Sequence, residues 1–94
     1  MYNRSLAQQF LDESEGKEDE GEQYIIVYDF LDDKASPKFW KNLNQLKQIS
    51  SVRSIQYSVL LAECSRDAVA ASMLASHYGA QVMKYRCVVY DGVS

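Results

Sequence analysis

The residues best suited to chemistry stand in "EQYIIVYDFLDD", residues 22–33, where a run of β-formers from Tyr24 to Phe30 carries Asp29 and is followed by Asp32 and Asp33. A carboxylate at the end of a strand can accept backbone N–H groups and hold a turn, stay solvated, or offer oxygen ligands to a hard cation. Asp29, fixed by the strand, is the candidate for metal or catalytic work, whereas Asp32 and Asp33 read as solvated loop acids. His77 is the sole histidine and falls on a predicted helix away from Asp29, so it reads as a core or surface histidine and not a general base. No serine, cysteine or lysine is spaced to suggest an activating base. Cys64 and Cys87 have strand-like surroundings and no CxxC spacing, which fits reduced, buried thiols better than a disulfide framework or a zinc site. Near the end, "CVVYDG" echoes "IVYDF" and puts Asp91 after another strand, either as pseudo-symmetry of two β-α-β halves or as a second acidic site.

The elements that must position these residues are legible from period and capping. Tyr24 to Phe30 is a strand by its β-branched and aromatic content. Ser36-Pro37 supplies an N-cap and a proline at the first helical position, and Phe39, Trp40, Leu43, Leu46 and Ile49 recur at helical spacing, predicting a helix over 37–49. "SVRSIQYSVLLAE" reads as one long strand or two short ones. Ser65 with Asp67 opens a second helix through Val69, Met73, Leu74 and His77, and Gly79 suits its C-terminal cap. "QVMKYRCVVY" closes the pattern as a strand. The order is that of an α+β, ferredoxin-like βαββαβ sandwich if the central strands form a hairpin or bent pair.

Composition bounds the rest. The 94 residues, 47% hydrophobic and 12% aromatic, suffice for one small core. No long apolar run and no basic-then-apolar start is present, so neither a membrane span nor a signal peptide is expected, and a cytoplasmic location is the default. The formal charge of −3 is unevenly spread. Residues 1–22 hold seven acids against two bases and read as an acidic, disordered leader, in which "SLAQQFL" could form a turn or two with Leu6, Phe10 and Leu11 on one face. Residues 23–94, the ferredoxin-like domain, hold eight bases against six acids, so an anionic partner is not excluded by the acidic total.

The strand pattern also predicts assembly. Two helices cover only one face of a four-stranded sheet, yet both faces of the first strand are apolar or aromatic: Ile25 and Val27 on one side, Tyr24, Ile26, Tyr28 and Phe30 on the other. The uncovered face is expected to meet a second copy across a two-fold axis, or else to leave tyrosines half-exposed or stacked on bases.

"IIVYDF", a helix of about a dozen residues and then "VRSIQYSVLLAE" resemble the CRISPR-associated Cas-two family, the small ferredoxin-fold subunit of spacer acquisition. The motifs that carry the resemblance are Tyr28-Asp29 at the end of the first strand and Arg53, Gln56, Ser58 and Val59 later, within residues 24 to about 90. Where members often carry arginines after the acidic loop, this chain has Lys34, Lys38 and Lys41, and "ISSV" replaces the glycine that often precedes the second strand.

The resemblance implies a homodimer that joins a CRISPR integrase subunit and binds double-stranded DNA or RNA by its backbone, through Lys34, Lys38, Lys41, Arg53, Lys84 and Arg86. It also implies a Mg²⁺-dependent endonuclease, acting on RNA or DNA. Asp29 beside the dimer axis would lie near its symmetry mate, and a Mg²⁺ ion would offset the two charges and activate water, making Asp29 metal-binding and catalytic. Three readings follow: an adaptor with Asp29 dispensable for catalysis, a nuclease with Asp29 essential, and a ferredoxin-like regulatory or ligand-sensing dimer that binds no nucleic acid.

Overall fold

Capping and burial build seven elements in the computed structural model, which describes residues 4–14, 22–31 and 34–87. In chain order they are α1 (Leu6–Glu13), β1 (Gln23–Asp29), α2 (Pro37–Ile49), β2 (Arg53–Gln56), β3 (Val59–Ala62), α3 (Ser65–His77) and β4 (Gln81–Cys87). The Ser36 hydroxyl accepts from the Phe39 N–H at 3.2 Å and Pro37 takes the first helical position, so α2 begins where its sequence places it. Gly79, at φ +94°, closes α3: its N–H donates to Ser76 O and the Ala80 N–H to Ala75 O, both at 3.0 Å, the two bonds of a Schellman motif.

The four strands form one antiparallel sheet in the order β2-β3-β1-β4. With three helices this is an α+β unit whose strand order is consistent with a ferredoxin-like fold. "SVRSIQYSVLLAE" resolves into two short strands joined at Tyr57-Ser58, with Ser58 in the left-handed region at φ +63°. Its carbonyl accepts from the Tyr28 N–H at 3.0 Å, tying the turn to β1.

Period-2 alternation sorts β1 between two environments. Tyr24, Ile26 and Tyr28 are buried beneath the helices with Leu60 and Ala62, while Ile25 and Val27 point to the uncovered face. The aromatic side of β1 is thus the covered side. Tyr28 packs on Phe39 and Phe30 at ring separations of 5.4 and 6.0 Å, and burial pushes its hydroxyl pKa up. On α2, Phe39, Leu43 and Leu46 are buried, but Trp40 and Ile49, predicted to share the apolar stripe, are exposed. Adjacent helical residues diverge by about 100°; here Phe39 points into the centre of the core and Trp40 to its rim.

The expected leader needs correction. Residues 6–13 are a helix packed on α2 and α3, with Ala7 0% and Leu11 5% exposed and Phe10 edge-on to His77 at 5.6 Å. An eight-residue helix is marginal alone, but burial of its apolar stripe and the Ser5 cap to the Gln8 N–H at 3.1 Å offset that. Arg4 bridges to Asp12 across the exposed side, and that hydrogen bond lowers the Asp12 pKa. The acidic run at 15–21 lies outside the described residues, as do Asp32, Asp33 and Asp91. Replacing Leu11 by Ala is expected to cost about 2–3 kcal/mol in urea unfolding; an unpacked leader would leave the midpoint unmoved.

Candidate functional site

Asp29 is the last residue of β1, in register with Gln81 and on the same face as Ile25 and Val27. It is exposed, and its Oδ1 accepts from the Leu31 N–H at 2.8 Å while Leu31 takes a positive φ of 56°. That is an Asx turn, the structural use of a strand-end carboxylate. Among the described residues no three His, Cys, Asp or Glu side chains gather where they could hold a metal. Among the described residues Asp29 is the one carboxylate at this strand end, fewer oxygen ligands than a Mg²⁺ ion takes.

Alongside Asp29 lies a cleft of about 420 Å³ whose lining includes Phe30, Lys34, Trp40, Tyr57 and Ser58. A second hollow of about 400 Å³ continues from Trp40 and Tyr57 toward Ile55 and Gln56 of β2. The aromatic floor is firm: Phe30 meets Phe39 at 4.9 Å, and Phe39 meets Trp40 at 5.0 Å and Tyr78 at 6.0 Å. Helical spacing alone does not mark this cleft, because Phe39 and Trp40 both fit one apolar stripe and only packing sends Trp40 to its rim.

The six cations named from sequence fall in three places. Lys34 lines the Asp29 cleft, and Lys38 and Lys41 are exposed on the first turns of α2. Arg53 opens β2 on one edge of the sheet. Lys84 and Arg86 lie on β4, the opposite edge, where Lys84 Nζ stands 6.0 Å from the centre of the Tyr24 ring and Arg86 pairs with Glu22 at 3.7 Å. One chain does not gather them into a single patch.

The uncovered sheet face is apolar across three strands. Ile25 is in register with Leu61 and Tyr85, and Val27 with Val59 and Met83; Met83 and Tyr85 are half or more exposed, Ile25, Val27 and Val59 half-buried, and Leu61 is already buried within the chain. Asp29 sits at the end of this patch.

Asp67, which by sequence opens a helix, is a buried acid. It is 2% exposed, in the first turn of α3, and its Oδ2 accepts from the Ser51 N–H at 2.8 Å and the Ser51 hydroxyl at 2.6 Å. Arg66 donates to Oδ1 at 3.1 Å, and Ser51 Oγ accepts from the Glu63 N–H at 2.9 Å. Burial pushes the carboxyl pKa up, but the Ser51 and Arg66 hydrogen bonds outweigh it and hold Asp67 below its ordinary value. Of the two free thiols Cys64 is buried, with its pKa raised chiefly by burial, and Cys87 is half-buried with its Sγ 3.4 Å from Gln23 O. His77 is exposed on α3 against Phe10 and Tyr78, not near Asp29.

No protein-family model matches the chain, and neither the curated proteins nor the solved structures give a match. No helix among the described residues is long and apolar enough to cross a membrane.

Proposed function

We propose that the chain is a small ferredoxin-fold subunit of CRISPR spacer acquisition, a cytoplasmic homodimer that binds a nucleic-acid duplex by its backbone and joins integrase subunits. The observation that carries the reading is the partly exposed apolar face of Ile25, Val27, Val59, Met83 and Tyr85. A contiguous apolar surface on a domain this small favours burial against a copy of itself. Pairing across a two-fold axis duplicates Lys34, Lys38 and Lys41, turning one modest set of cations into two that are spaced along a duplex. The Asx turn at Asp29 supports an adaptor in which this carboxylate shapes the loop ahead of α2. A Mg²⁺-dependent endonuclease is the second reading, favoured by the position of Asp29 at the end of the same apolar face, where a two-fold axis would bring two carboxylates together.

Light scattering is expected to return a dimer at micromolar concentration, and duplex binding is expected at about 50 mM salt, where backbone contacts are strongest. Asp29→Asn keeps the turn acceptor and removes the charge, so the adaptor retains binding and assembly. The double reversal Lys38→Glu, Lys41→Glu lowers duplex affinity about tenfold or more and flattens its salt dependence. Loss of a robust Mg²⁺-dependent cleavage in Asp29→Asn would establish the nuclease instead. A wild type that binds no nucleic acid at low salt would leave the regulatory dimer.

A further inference from the structure

Two exposed aromatic rings and a cation converge on one cleft, a combination of flat apolar faces and charge suited to a planar, charged ligand. Trp40 is 38% exposed and Tyr57, at the tip of the β2–β3 turn, is 87% exposed. Both line the cleft of about 420 Å³ beside Asp29, within the size range of sites for small organic groups. Besides the two rings, the polar side chains among its described lining residues are those of Asp29, Lys34 and Ser58. Lys34 supplies a positive charge, and Asp29, whose Oδ1 accepts from Leu31, has Oδ2 as a second acceptor with no donor among the described residues. Planar faces, one cation and one hydrogen-bond acceptor match the three parts of a nucleotide: a base with a π-face, a phosphate and an edge N–H.

We infer that this cleft takes an unstacked nucleobase of a single strand, its ring against Trp40 and Tyr57, its phosphate at Lys34 and an edge N–H toward Asp29. Bases within a duplex are already stacked on one another and cannot enter, whereas a single strand offers each ring freely. The cleft therefore adds a preference for unpaired nucleotides to the backbone binding proposed above, and it rests on that reading. Stacking is tolerant of base identity, so the preference concerns strandedness and not sequence.

Trp40 is the only tryptophan, which makes its fluorescence a direct report on the cleft. The test titrates the full chain with a single-stranded oligodeoxynucleotide of about 15 nucleotides and, separately, with a blunt duplex of equal length, at about 50 mM salt. The single strand is expected to quench Trp40. Tyr57→Ala is expected to weaken single-strand binding about tenfold while leaving duplex affinity unchanged, and Tyr57→Phe to restore it, since stacking needs the ring and not the hydroxyl. Lys34→Ala is expected to reduce the salt slope of single-strand binding by roughly one phosphate contact. Tyr57 is almost wholly exposed, so its truncation leaves the core intact. If the duplex binds but the single strand causes no quench, or if Tyr57→Ala leaves single-strand affinity unchanged, the inference is overturned and the backbone-binding reading stands. If neither probe binds, both fall.

Discussion

Replacing Asp67 by Ala lowers the free energy of unfolding by about 3 kcal/mol, because a buried donor loses a charged acceptor and is left unsatisfied. The side chain joins α3 to the segment between α2 and β2 through Ser51, whose hydroxyl in turn receives the Glu63 N–H, so one carboxylate organises three stretches of chain. Urea unfolding at neutral pH measures the loss. Asp67→Asn is expected to fall between the wild type and Asp67→Ala, since it keeps an acceptor for Ser51 but not the charge that Arg66 meets at 3.0 Å. The pH dependence follows from the lowered pKa. The folded state holds the deprotonated form more tightly than the unfolded chain does, so the contribution is full above the ordinary value of 3.8 and is lost as pH falls through the lower, folded-state value. The wild type therefore loses stability on acidification below about pH 4 more steeply than Asp67→Asn does. Parallel acid profiles for the two proteins would remove the carboxylate from this role.

Replacing Val27 by Asp separates the proposed dimer. Val27 lies at the centre of the uncovered face, between Val59 and Met83, and a two-fold pairing of sheets would bury two such aspartates without cationic partners. An uncompensated buried charge costs about 3–5 kcal/mol, so the dimer dissociation constant is expected to rise by at least about 100-fold. In the monomer the same position is half-buried, so the fold is retained and circular dichroism stays unchanged. Duplex affinity is expected to fall together with dimerisation, as the paired lysine sets separate, and the salt slope to drop by roughly half. A variant that scatters light as the wild-type dimer does would show that the copies meet elsewhere.

The sequence by itself determined what depends on neighbours in the chain. Ser36-Pro37 starts α2, Gly79 ends α3 and alternation divides β1, because a cap or a pleat is fixed by one or two local hydrogen bonds and by backbone geometry. The α+β order of elements followed from the same local signals. The tertiary structure alone decided which side of β1 is covered: both sides are apolar, and only the way each helical crossover packs back on the sheet selects the tyrosine side. It decided that Phe39 and not Trp40 enters the core, and that residues 6–13 join it, since a short stripe is stable only when another surface receives it. It decided that Asp67 is a buried acceptor for Ser51, sixteen residues away, and that Asp29 bonds Leu31, two residues away. A carboxylate looks the same in sequence whatever meets it, and only the folded chain sets which donors lie within hydrogen-bond reach.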